Sequence, residues 1–198
     1  WYPLIINNRA VHKPFIDHVR FGYFLGYPDC CQDFFRRYND HFRYSHLFEA
    51  FKHTKAAPLT LCNPLLKNHT YSYIFHMPCS YDCERTARYA ADVRRALKRH
   101  EPNLAERIDE LLARPFLVIE EHDAYIFEGR LRGREIRYRD FAFVGASEQR
   151  GGELTPALAR GDRVRAEADT VSIYKGARTV AKKRYRFEPF VIQCRGRR

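Results

Sequence analysis

Residues 113–144, ARPFLVIEEHDAYIFEGRLRGREIRYRDFAFV, decide the fold. Upstream of this stretch apolar residues recur at helical spacing, whereas from Pro115 onward the period is two. Phe116–Glu121, Ala124–Arg130 and Glu135–Val144 read as strands. The connections Glu121-His122-Asp123 and Arg132-Gly133 are short enough to be hairpin turns. The same pattern continues through Arg163–Ala168, Thr170–Lys175, Thr179–Arg186 and Phe190–Gln193, with a further turn at Lys175-Gly176. Gly145 to Gly161 is the one long loop. Residues 113–198 are therefore expected to form an antiparallel β-sheet or small barrel.

Residues 1–112 read as mainly helical. Val19, Phe21, Tyr23, Phe24 and Leu25 place a helix over His18–Leu25, stopped by Gly26. Pro28 opens a second helix, because proline suits the first helical position. Cys30 and Cys31 then fall in its first turn, with Phe34, Phe35 and Tyr38 at core-facing spacings. A helix through His46–Lys52 and an extended segment over Tyr71–Phe75 follow. Ser80 is a suitable N-cap for a long helix Tyr81–Arg99, with Asp82 and Glu84 in its first turn and Arg94, Arg95, Lys98 and Arg99 in its last. After an interruption at Glu101-Pro102-Asn103, Leu104–Leu112 is a further short helix. The expected fold class is α+β, a helical cysteine-bearing domain over 1–112 followed by a β domain over 113–198.

The chain has 198 residues, 45% hydrophobic and 15% aromatic, enough to bury a substantial core. No apolar run approaches the roughly 20 residues that span a bilayer, so no membrane partner is expected and the cytoplasm is the expected compartment. The net charge is +11, and it points to phosphates or other anions as partners. The excess is greater in the second half, at Arg130, Arg132, Arg134, Arg137 and Arg139, at Lys182, Lys183, Arg184 and Arg186, and at Arg195, Arg197 and Arg198. A charged strand face is also what plain solvation produces. Tyr138, Phe141, Tyr174 and Tyr185, interleaved with these cations, would complete a nucleic-acid-binding face. The chain contains no G-x(4)-G-K-[ST], G-x-G-x-x-G, G-x-S-x-G or H-E-x-x-H pattern, so the common phosphate-loop, hydrolase and metalloprotease chemistries find no support.

Cys30, Cys31, Cys79 and Cys83 carry the clearest chemistry. All four lie where helices are expected to start, and unpaired N–H groups with the helix dipole favour thiolates there. Disulfides are the weaker reading, since adjacent Cys30 and Cys31 cannot bridge without strain and a chain of this size folds without staples. Four thiolates suit either zinc or an iron–sulfur cluster. A directly adjacent pair is a poor chelate for one tetrahedral ion, whereas neighbouring cysteines can bind different irons of a cube. The expected cofactor is thus an iron–sulfur cluster of the 4Fe-4S type, with zinc the alternative. A cluster held by three of these cysteines would leave one iron open as a Lewis acid. His76 is a candidate ligand, cleft residue or partner to a nucleophilic Cys83. Ser80, Asn63, Arg20 and Arg85 are candidates for surrounding the site or binding substrate. Cys62 and Cys194 are expected to pack in the core unless the C-terminal strand returns to the cysteines.

GYPDCCQDFF, the Asn-Pro after Cys62 and HMPCSYDCERT together resemble an uncharacterised protein family. Its signature is Gly-Tyr/Phe-Pro-x-Cys-Cys-x-x-Phe followed some tens of residues later by His-x-Pro-Cys-Ser-x-x-Cys. The resemblance covers roughly residues 15–100 and singles out Pro28, Cys30, Cys31, His76, Pro78, Cys79, Ser80 and Cys83, but implies no reaction. Two functions are expected to compete. One is an iron–sulfur enzyme or enzyme component acting on an anionic small molecule or RNA, with room for a partner protein. The other is a zinc-stabilised, non-enzymatic nucleic-acid-binding module.

Overall fold

The computed structural model describes residues 4–6, 9–12, 18–38, 45–120, 123–145 and 153–196. The expected turn at Glu121-His122 and the terminal Arg197 and Arg198 lie outside these. A short antiparallel pair, β1 (Leu4–Ile6) and β2 (Arg9–His12), comes first and was not foreseen from the sequence. The helical part then runs α1 (His18–Phe24), α2 (Asp29–Tyr38), α3 (His46–His53), α4 (Glu84–His100) and α5 (Pro102–Leu112). The second part contains β3 (Pro115–Glu120), β4 (Asp123–Arg132), β5 (Glu135–Phe143), α6 (Thr155–Arg160), β6 (Arg163–Glu167), β7 (Thr170–Lys175), β8 (Arg178–Arg184) and β9 (Phe190–Gln193). The chain is thus an α+β protein, with helices preceding an antiparallel sheet. No helix among the described residues is long and apolar enough to cross a membrane.

The sheet has seven strands in the order β8-β7-β6-β5-β4-β3-β9, every pair antiparallel. The strands β3 to β8 form a meander, and β9 returns to the far side of β3. β9 also meets β6, so the sheet curls toward a barrel. Gly133, at φ +60°, occupies the left-handed region that the two-residue turn between β4 and β5 requires. A bulge at Glu128/Gly129 brings the two backbones so close that a Cβ on Gly129 would lie 2.2 Å from the Arg137 carbonyl oxygen.

Strand alternation sends two sets of side chains to two cores. Leu117, Ile119, Tyr125, Phe127, Ile136, Val164 and Ile173 pack inside the curl with Leu158 of α6. Phe116, Val118, Ile126, Phe190 and Ile192 pack on the other face against the helices. Phe190 is the hub of that contact, stacking on Phe51 at 4.1 Å and meeting Phe48 edge-on at 5.3 Å. Beyond β9 the chain runs back to the helical layer, where Arg195 N–H donates to Pro58 and Arg195 C=O accepts from Thr60.

Tyr71–Phe75, expected as an extended segment, pairs with no strand among the described residues, and Ser72 Oγ bonds the carbonyls of Asn63 and Ile74. Three local expectations are corrected. The long helix starts at Glu84, because Cys83 rather than Ser80 is its N-cap. Asp82 is consequently outside its first turn, and its carboxylate accepts the N–H groups of Lys55 and Ala56. The chain breaks between the helices at Glu101, but Pro102 already opens α5, ahead of the expected start at Leu104, and the long loop contains α6, entered through Pro156.

Candidate metal centre

The sulfurs of Cys30, Cys31, Cys79 and Cys83 all lie within 4.8 Å of one another, and four thiols so placed can hold a metal. α2 delivers the first two. Its opening turn, in which Cys31 N–H and Gln32 N–H both donate to Pro28 O, fixes Cys30 and Cys31 at one helix start. The turn over 79–83 delivers the others, and Cys83 Sγ accepts the Thr86 N–H as the cap of α4 at 3.5 Å. The Sγ–Sγ distances are 3.9 Å for Cys30–Cys31, 3.7 Å for Cys30–Cys83 and 3.9 Å for Cys31–Cys83. Adjacency therefore does not separate or crowd the first two sulfurs. Cys31 and Cys83 are buried, while Cys30 and Cys79 are half-buried.

The electrostatics are those of like groups competing for one charge. Hydrogen bonds from Cys31 and Cys79, opposed by burial and reinforced by Thr86, hold the Cys83 thiol far below its ordinary value. The Cys79 thiol is drawn down by its bond to Cys31, yet its bond to Cys83 and burial carry it up to about 12. Burial raises Cys30, and the bonds to Cys79 and Cys83 raise Cys31. Ionisation of one sulfur in the set thus opposes ionisation of the others. A cation among them is what allows all four to ionise together.

Thr86, fully buried, is a functional neighbour that sequence reasoning missed. Its Oγ1 lies 3.1 Å from Cys31 Sγ and 3.1 Å from His76 Nε2, joining the three side chains. Its only sequence signal is its position three residues after Cys83, the spacing of a helix cap. His76 is not among the clustered ligand atoms; it stands one hydroxyl away from Cys31. Burial lowers its pKa to about 4, outweighing the opposite pull of Cys83, so the ring is neutral at pH 7. Its ring packs at 4.8 Å on Tyr27 and edge-on at 5.6 Å to Tyr89.

The other candidates take different places. Cys62 is buried beside the four and donates to Cys83 O at 3.3 Å. Cys194 is brought near Asn63 by the returning C-terminal segment and is buried. The Asn63 amide is fully buried, donating to Leu112 O and accepting from Leu65 N. Ser80 is buried and hydrogen-bonds Asp82. Arg85 reaches from α4 toward Asp29 of α2 at 4.0 Å, an exposed pair over the cysteine-bearing helix starts. Arg20 is exposed on α1.

On the sheet, the registers set Arg130 opposite Arg137 and Arg137 opposite Arg163. Like charges directly opposite one another destabilise a sheet. Glu135 offsets this in part, at 3.4 Å from Arg137 and 3.6 Å from Arg163. The expected interleaved aromatics do not share this face. Tyr138, between Arg137 and Arg139, points the other way, is buried and donates to Leu158 O at 2.8 Å. Phe141 and Tyr185 pack against the same interior core. Tyr174 lies 4.6 Å beneath the Arg163 guanidinium, and Lys183 Nζ sits 5.4 Å from the centre of the Tyr185 ring. Comparison of the chain with protein-family models, curated proteins and solved structures finds no match.

Proposed function

We propose that this protein is a nucleic-acid-binding module whose helical layer is held together by one zinc ion on Cys30, Cys31, Cys79 and Cys83. The observation that carries the metal reading is the sulfur spacing. A tetrahedral zinc with Zn–S bonds of about 2.3 Å has ligand edges of about 3.8 Å, against 3.7, 3.9 and 3.9 Å between the sulfurs of Cys30, Cys31 and Cys83. A four-iron cube carries each thiolate outward on its own iron and needs wider spacing. Four thiolates also complete the zinc shell, which suits a structural role, because catalytic zinc keeps an open position. Support for nucleic acid comes from the net charge of +11 and the cross-strand row Arg130, Arg137 and Arg163, whose mutual repulsion a phosphate backbone would relieve.

Metal analysis of anaerobically purified protein, together with its absorption spectrum, tests this reading. The expected product is colourless, with one zinc per chain, and Cys83→Ala loses the ion. Brown protein absorbing near roughly 400 nm, with iron and sulfide, would replace zinc by a cluster. Full metal retention in Cys83→Ala would remove the shared site. Affinity for single-stranded RNA should fall steeply with added salt, and Arg137→Gln should reduce that slope by about one. A flat salt response would eliminate nucleic acid as the partner.

A further inference from the structure

A cleft of about 260 Å³ opens beside the cysteine cluster, and Cys31 is part of its lining. The phenylalanine rings of Phe21 and Phe75 border it while remaining 56% and 59% exposed. Large aromatic rings left this open around a concavity provide stacking surface rather than core. Arg36, ion-paired with Asp33 one turn away, and Lys67, whose Nζ lies 3.1 Å from Met77 Sδ, also line the cleft, and no acidic side chain lines it among the described residues. His76 is part of the lining too.

The protonation of His76 follows from its neighbours. A metal-bound Cys31 thiolate has no proton and can only accept, so the Thr86 hydroxyl donates to it. Thr86 Oγ1 must then accept from His76, which places the imidazole proton on Nε2. Nδ1 is left as an acceptor, and in a side chain 7% exposed it has no hydrogen-bond partner among the described residues. Such an atom favours a ligand that brings an N–H or O–H donor.

We infer that this cleft seats one nucleotide, its base stacked against Phe75 and Phe21, a base N–H donated to His76 Nδ1 and its phosphate facing Arg36 and Lys67. The inference rests on the thiolate-centre reading above, since that reading fixes the direction of the hydrogen-bond chain. The nucleotide is either free or one unstacked residue of an RNA strand, and both offer the same ring, donor and phosphate.

Calorimetric titration of the metal-loaded full chain with AMP, GMP, CMP and UMP, with the matching nucleosides and with a single-stranded oligoribonucleotide tests the proposal. Saturable binding of a nucleoside monophosphate is expected, weaker for its nucleoside. Phe75→Ala should weaken it about tenfold, consistent with the loss of one stacking ring. His76→Gln keeps an amide donor toward Thr86 but lacks the Nδ1 acceptor, and should weaken binding by a similar factor. An oligoribonucleotide that binds more tightly, with the same dependence on both variants, identifies the strand as the source; equal or weaker binding identifies the free nucleotide. Zinc is measured in the same samples. A zinc-loaded chain without saturable nucleotide binding, or binding indifferent to Phe75→Ala, overturns the cleft proposal alone. A zinc-free chain with variant-sensitive binding overturns the zinc reading and leaves the cleft standing. Should His76→Gln lose zinc, Phe75→Ala decides, because its exposed ring lies outside the four-sulfur cluster.

Discussion

At the scale of single residues, Thr86 links the sulfur cluster to the cleft. Its hydroxyl meets both Cys31 Sγ and His76 Nε2 at 3.1 Å, and its N–H caps onto Cys83 Sγ. Thr86→Val keeps the shape and the backbone cap but removes the hydroxyl. Metal affinity, measured by chelator competition, is expected to drop about tenfold or more, the usual consequence of losing a hydrogen bond to a metal ligand. Unchanged affinity would show that the hydroxyl only fills space. The cysteines themselves were legible in the sequence, because helix-start signals such as Pro28 are local. Thr86 was not, since a threonine inside a helix bears no mark of what it faces. Cys83 was placed at the correct helix end but in the wrong role, because Ser80 is the better cap by residue type. The Cys83 sulfur holds that position, while Asp82 is engaged by the Lys55 and Ala56 amides.

At the scale of elements, α4 and α5 form a clamp that holds the segment leading into the second cysteine motif. Arg94 Nε donates to both carboxylate oxygens of Asp109, at 2.8 and 2.9 Å, and Tyr73 donates to Asp109 Oδ1 at 2.8 Å. Burial pushes the Asp109 carboxyl up, but the guanidinium and the tyrosine hydroxyl outweigh it and hold it below the ordinary carboxylate range. A depressed folded-state pKa contributes stability above the unfolded value of about 3.9, and that contribution disappears as pH falls through the folded value. Asp109→Asn should therefore cost about 1 kcal/mol at pH 7, a figure already reduced for the partial exposure of Arg94. Urea titrations should show the variant and the parent converging at low pH, and a deficit that persists there would assign the effect to packing. The strands around β3 to β8 were readable because period-two patterning and Gly turns are local. The fate of Tyr71–Phe75 was not: the sequence does show an extended chain, but whether a neighbouring strand exists to pair with it depends on contacts distant in sequence. The aromatics among the basic strands illustrate the same limit, since alternation predicts opposite faces for Arg137 and Tyr138 but does not say which face is interior.

At the scale of the whole molecule, the α+β class was legible and the way its parts share a core was not. Phe34 of α2, Phe48 of α3, Tyr81 beside the cysteines, Phe116 of β3 and Phe190 of β9 belong to one buried cluster. The four sulfurs adjoin that cluster, with half-buried Cys79 packed against it. A metal removed from such a centre would take its binding free energy out of folding. That loss should reach the sheet through Phe190, which stacks on Phe51 and meets Phe48. Chelator-treated protein is accordingly expected to melt at a lower temperature in one transition, with far-ultraviolet and aromatic circular dichroism coincident. Two separated transitions, with sheet signal surviving to the melting temperature of the metal-loaded protein, would instead make residues 113–198 a unit that folds independently of 1–112. The shared cluster argues for the first outcome, because unfolding the helices would expose Phe116, Val118, Phe190 and Ile192 on one sheet face together, and an uncovered apolar face of that size is costly in water.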